Sequence, residues 1–163
     1  WDVVPVTVLR DDGPLGEGAL QRFVEHDPKE HYFTLLAGNE ERFRQFAVFD
    51  ILANNTDRKG GHCLRDLATG LIVGIDHGLT FHLTWKLRTV IWDFADEPVP
   101  EPILEDVRRV ARDLEHGWVG EVIADLLSPA ELAALAMRAA DLLAAPTFPA
   151  PEPGYHSVPW PLV

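Results

Sequence analysis

The sequence predicts an α+β fold, mainly helical, with a short β-hairpin near its middle, and three observations carry that expectation. The stretch FAVFDILA (46–53) is apolar on every face apart from one acid, the pattern of a helix buried inside a domain. Two short apolar runs, HCLRD (62–66) and GLIVGID (70–76), are joined by LATG, which reads as a hairpin. From residue 101 onward, helical periodicity and capping signals dominate. At 163 residues the chain fits one domain, or one lobe of a divided domain, around a single core.

Taken in order, VVPVTVL (3–9) is β-branched, and DDGPLGEG (11–18) is expected to break it before a second extended run, ALQRFVE (19–25). In DPKEHYFTLL (27–36), Asp27 is the expected N-cap of a short helix, with Pro28 at its first position. Asn39 can cap the next helix, which runs to about Asn54. The polar stretch NNTDRKGGH (54–62) follows, then the hairpin. Residues 79–100 read as irregular, anchored by Trp85 and Trp92. EPILEDVRRVARDLEHG (101–117) is an amphipathic helix closed by Gly117, and WVGEVIADLL (118–127) is another. SPAE (128–131) is a capping box that opens a helix to about Ala144, and the proline-rich tail from Pro146 is extended, pinned by Trp160 or Tyr155. The predicted divisions are 1–25, 26–145 and 146–163.

Composition narrows the function classes. With 47% hydrophobic and 25% charged residues the chain is globular, and a net charge of −12 argues against general affinity for nucleic acid or anionic membrane. Arg58, Lys59, Lys86 and Arg88 are candidates for a local basic patch. Cys63 is the single cysteine, so an intrachain disulfide or a multi-cysteine zinc site is excluded, and it reads as a small buried strand residue. No apolar run is long enough for a membrane helix and no signal peptide is recognisable, so no integral membrane association and a cytoplasmic location are expected.

The chemistry lies in the loop and hairpin. Asp50 is surrounded by Phe46, Val48, Phe49, Ile51 and Leu52, so its charge must be paired, and its partners are expected from the polar loop. Asp57 and Asp76 bracket the hairpin, so a tight hairpin brings them to one end of the sheet. Phosphoryl transfer needs that kind of positioning: a carboxylate near the attacking hydroxyl and another holding a divalent metal against the phosphates. His62, five residues beyond Asp57, stands where a further metal ligand is expected. Alone, Asp57 would read as an exposed loop acid and Asp76 as a strand-end acid in a glycine turn. Asn55 reads as a loop-bracing amide, and His77 with His82 make at most a weak second metal pair.

FDILANNTDRKGGHCL followed by GIDHGLTF resembles the catalytic loop and metal-binding acid of phosphatidylinositol 3- and 4-kinase-like enzymes. It is most similar to the type II phosphatidylinositol 4-kinases and a related actinobacterial group of small proteins, and more distantly to HipA-type bacterial protein kinases. The resemblance covers roughly residues 1 to 100. It implies the C-lobe of a kinase-like fold, with VVPVTVL ending the small lobe and ALQRFVE as the hinge. It further implies ATP as nucleotide, Mg²⁺ or Mn²⁺ as metal, and transfer of the γ-phosphoryl group to a lipid, protein or small-molecule hydroxyl. Asp57, in the Asp57-Arg58 catalytic pair, would orient the acceptor, while Arg58 braces the loop by pairing with a carboxylate. Asp76 would chelate metal, joined by His62 where these kinases carry Asn, a change that suits transition metals. Gln21, Phe23 and Val24 would face adenine above a floor of Leu64 and Ile75, and Asp50 would brace the loop backbone. The phosphate-covering loop and its lysine would lie upstream, so a separate small lobe is expected. Two other readings are an inactive nucleotide-binding or protein-interaction module and, less in keeping with the sparse ligands, a metal hydrolase built on Asp57, His62 and Asp76.

Overall fold

The computed structural model describes residues 1–163 as an α+β chain of five helices and two small antiparallel sheets. Strands β1 (Thr7–Gly13) and β2 (Gly16–Gln21) form one sheet, and β3 (Cys63–Arg65) and β4 (Ile72–Gly74) the other. The helices are α1 (Tyr32–Leu35), α2 (Glu40–Ala53), α3 (Glu101–His116), α4 (Trp118–Ala124) and α5 (Pro129–Ala144). None is long and apolar enough to cross a membrane.

Helix α2 is the central element, as its all-round apolarity predicts. Phe43, Phe46, Val48 and Ile51 are buried in the main core, together with the inner face of α3 (Ile103, Leu104, Val107, Leu114) and with Leu135, Ala139 and Leu142 of α5. Asn54 ends α2 at φ 50°, a left-handed conformation that asparagine tolerates and that turns the chain into the polar loop. The hairpin pairs Cys63 with Gly74, Leu64 with Val73 and Arg65 with Ile72, so the expected hairpin is observed, with strands shorter than the two apolar runs. Its Leu64 and Val73 make a separate small cluster with Val24, with Ile75 packed against it.

Several elements differ from expectation. Strand β1 starts at Thr7 and runs through the acidic stretch, because β2 pairs with it from Thr7↔Gln21 to Arg10↔Gly18 and the turn is confined to Pro14 and Leu15. Val3 instead accepts a hydrogen bond from the Gly74 amide at 2.6 Å, which draws the first residues toward the second hairpin. Asp27 does not cap a helix: its Oδ1 accepts from the Lys29 amide in a local turn, and α1 is a single turn opening after His31. Asn39 precedes α2, but its side-chain amide donates to Leu35 O rather than capping. The Ser128/Glu131 capping box is formed, whereas Gly117 has φ −112° and joins α3 to α4 without a left-handed cap.

The tail folds back onto the body through residues other than Trp160, which is exposed. Phe148 is buried in the core, Thr147 bridges Pro98, and Ser157 O accepts from the Thr89 amide and from Trp92 Nε1. Tyr155 contributes, accepting from Arg88 Nε and donating to Lys86 O. Further along, Leu162 O accepts from the Gly60 amide at 2.6 Å, so the tail lies against the loop between Asp57 and His62.

Gly74 is where α2, the loop and the hairpin meet. A methyl group on it would sit 3.0 Å from the Phe46 ring, 3.1 Å from Arg58 Nη1 and 3.1 Å from His77 Nε2. Gly74→Ala is expected to destabilise the fold by ~1–3 kcal/mol through overpacking, read as a lowered urea midpoint at unchanged m-value.

Candidate functional site

The site is built around Asp50. Its Oδ1 accepts from Asn55 Nδ2 at 2.9 Å and from Arg58 Nη2 at 2.9 Å, and its Oδ2 accepts from Arg58 Nε at 3.0 Å. Both charged side chains are fully buried. The expectation that the loop would supply Asp50 with partners is met, and the loop residues that do so are Asn55 and Arg58. Arg58 also donates through Nη1 to Ile75 O at 3.2 Å, and its Nη2 lies 2.7 Å from His77 Nε2. One guanidinium therefore ties α2, the loop and the exit of β4 together. Its burial makes it a positioning residue, with no face left for a substrate.

The amides complete the frame. Asn55 Oδ1 accepts from the Asp57 amide at 3.0 Å, setting the direction of the chain at that acid. Asn54 Nδ2 donates to His82 O and Thr84 O, while its Oδ1 accepts from the Lys86 amide, each at 2.9 Å. The backbones at Arg58 and Thr89 form a parallel bridge, so the segment after the hairpin is stitched to the loop.

On this frame Asp57, His62 and Asp76 converge, with one ligand atom from each within 4.8 Å of the others. Asp76 holds φ 56°, unusual for a residue other than glycine, and its side chain is 63% exposed. His62 stands on a single 3-10 turn, Gly60–His62, with Nε2 3.5 Å from Asp76 Oδ2 and Nδ1 3.4 Å from the Lys59 amide. Burial depresses the His62 imidazole below its ordinary range, the Arg58 and Lys59 cations add to this, and Asp76 and Asp57 oppose without reversing it. The neutral ring is the form that ligates metal. Two carboxylates and an imidazole are a donor set suited to a divalent cation.

Lys59 is the residue that sequence reasoning placed only in a general basic patch. Its ammonium lies 3.0 Å from Asp57 Oδ2, with both side chains about three-quarters buried. A lysine two residues after an acid in a glycine-bounded loop is the available signal, but which way it turns depends on the loop's path. The candidate adenine residues divide into two sets. Val24, Leu64 and Ile75 come together around Val73, whereas Phe23 is 82% exposed and Gln21 donates to Thr7 Oγ1 on the outer hairpin. His77 and His82 engage different partners, Arg58 for one and Lys86 with Thr84 for the other. Cys63 is fully buried and its thiol is pushed up to about 12 by desolvation, so it has no nucleophilic role.

Two outcomes follow from this geometry. Asp50→Ala leaves Arg58 buried without its carboxylate and is expected to cost ~3–5 kcal/mol in chemical denaturation, far more than a loss of helix packing alone. His77 has its pKa pushed down from 6.5 to about 3, first by burial and then by the Arg58 cation. The unfolded chain therefore takes up a proton near 6.5 that the folded chain refuses until about 3, so this contribution to stability is complete above the higher value and is lost as pH falls between them. His77→Gln is expected to flatten that part of the melting temperature against pH.

Protein Rv2133c of Mycobacterium tuberculosis is similar to this chain, with 38% identity over 196 residues that take in 99% of the chain and 69% of the relative. No protein-family model matches the chain. With identity of that level along nearly its whole length, the chain belongs to the family of Protein Rv2133c.

Proposed function

We propose that this chain is the large, C-terminal lobe of a kinase-like phosphotransferase that moves the ATP γ-phosphoryl group to a hydroxyl. The observation that carries this reading is the convergence of Asp57, His62 and Asp76 at one end of a hairpin, on a loop held by a buried Asp50–Arg58 pair. The motif resemblance to phosphatidylinositol 3- and 4-kinase-like enzymes also supports it, through the order of the same residues along the chain.

In this reading Asp57 accepts a hydrogen bond from the acceptor hydroxyl and aims its oxygen at the phosphorus. Lys59, 3.0 Å from Asp57, keeps that carboxylate turned into the site and adds a positive charge where phosphate oxygens gather. Asp76 and His62 would hold the divalent cation, which when bound neutralises charge on the phosphates. Asn55 and Arg58 act through the backbone: they fix the position of Asp57 relative to Asp76 so that little reorganisation remains for the reacting complex. Of the residues that would receive a purine base, Ile75 is partly exposed, while Val24, Leu64 and Val73 are buried together beneath it and would support that floor from below.

A second reading, a catalytically inactive nucleotide-binding or protein-interaction module, is favoured by the outer hairpin, whose exposure suits a partner surface. Strands β1 and β2 are exposed along nearly their whole length, and Gln21 and Phe23 make no wall opposite the Val24 patch. Its discriminating feature is nucleotide or partner binding that persists without transfer.

Calorimetric titration of ATP with Mg²⁺ and with Mn²⁺ tests the site. Metal-dependent binding is expected and should disappear in Asp76→Ala. Asp57→Ala should keep nucleotide binding while lowering phosphoryl transfer by about 10²–10⁴-fold, the usual range for a lost general acid–base group. Binding that is indifferent to metal, or to Asp76, would overturn the assignment.

A further inference from the structure

A second concavity lies beside the Asp57 loop, a groove of ≈ 420 Å³ whose walls include Thr56, Thr80, His82, Lys86, Arg88 and Tyr155. We propose that it seats a small, soluble acceptor carrying a phosphate group as well as the hydroxyl to be phosphorylated. This rests on the phosphotransferase reading and names its acceptor.

The charge pattern leads there. In a chain of net charge −12, most arginines near the surface are matched to acids, yet neither Lys86 nor Arg88 has a carboxylate within ion-pair distance. Lys86 Nζ lies 3.1 Å from His82 Nε2, and Arg88 Nε donates to the Tyr155 hydroxyl at 3.2 Å with its guanidinium over the Tyr155 ring. These contacts fix the two cations without neutralising them. Leu87 between them is buried, so the alternation of an extended segment turns Lys86 and Arg88 outward together. An oxyanion is the complement to such a pair, and the guanidinium fork suits phosphate in particular.

The groove is also tied to the reacting carboxylate. The Lys86 amide donates to Asn54 Oδ1, the Arg88 amide donates to Asn55 O, and Arg88 O accepts from the Arg58 amide, so both cations stand on backbone bonded to the catalytic-loop segment. Thr56 in the groove wall immediately precedes Asp57. A phosphate at Lys86 and Arg88 would leave the other end of a short molecule in the groove beside the loop that carries Asp57. Glu131, whose carboxylate accepts from the Ser128 amide and hydroxyl, also lines the groove and would repel a second anionic group. The overall acidity of the chain repels an anionic bilayer, which favours an acceptor arriving from solution. In the transfer, the acceptor oxygen forms a bond to the γ-phosphorus of ATP as the bond to the bridging oxygen breaks. ADP departs with that electron pair, and the hydroxyl proton passes to Asp57 before release to water.

The test uses glycerol 3-phosphate, glycerol, and vesicles of phosphatidylglycerol, which displays the same headgroup on a bilayer. Amide resonances of Thr56, Lys86 and Arg88 should shift with glycerol 3-phosphate and stay still with glycerol. Lys86→Ala with Arg88→Ala, both exposed, should weaken binding at least tenfold while leaving ATP affinity unchanged. Arg88→Lys should retain part of the binding. No shift, or equal affinity in the double variant, overturns the proposal, as does binding to vesicles without binding to the soluble ester. ATP bound with glycerol 3-phosphate ignored overturns the acceptor alone. Glycerol 3-phosphate bound through Lys86 and Arg88 with no ATP binding overturns the phosphotransferase reading and the acceptor role with it, leaving an oxyanion site.

Discussion

A single ion pair, Asp50 with Arg58, carries more of this architecture than any other contact. It sits with no exposure at all between the central helix and the loop, where neither charge can be left alone. Desolvating two ions costs several kcal/mol each, and the pair recovers that only because every strong direction is filled: Asn55 completes the carboxylate, and Ile75 O with His77 completes the guanidinium. A well-packed apolar pair of similar volume often stabilises a fold as much. It would not dictate where the loop runs, and for a loop whose acids must meet within a few ångströms that is the more consequential property.

The same economy explains the amides at 54 and 55. Asn54 uses both ends of its side chain to gather the 82–86 segment, and Asn55 uses its own to join Asp50 to the Asp57 backbone. Neither is near solvent. Burying two amides, an aspartate and an arginine in succession is tolerable only where each finds a partner, and here the partners are one another and the returning chain. Polar satisfaction of this kind makes the arrangement discrete rather than adjustable.

Much of this was legible in the residues themselves. An acid in an all-apolar helix demands a cation, and the next polar residues in the chain were the place to find it; Arg58 was already the candidate brace. The hairpin between Asp57 and Asp76 could be read from two short apolar runs and a turn. What could not be read depends on contacts distant in sequence. The direction of Lys59, the capture of Val3 by Gly74 and the return of the tail to Gly60 come from tertiary packing that no local pattern encodes. The outer strands were misplaced because acidic and glycine residues, poor strand formers, are carried into β1 by cross-strand pairing with β2. Of the two expected tail anchors, Tyr155 engages Arg88 and Lys86 while Trp160 stays exposed, and the smaller Ser157 also holds the tail through its carbonyl.

The burial of Cys63 has a practical side. The chain's single thiol lies on β3, fully enclosed and held protonated, one residue after His62 and against the core beneath the site. A thiol reagent can reach it only when the hairpin parts from α2. The rate of labelling is thus a built-in clock for local opening at the site itself, readable without introducing a probe, and any ligand that closes the loop over the hairpin slows that clock in proportion to its occupancy.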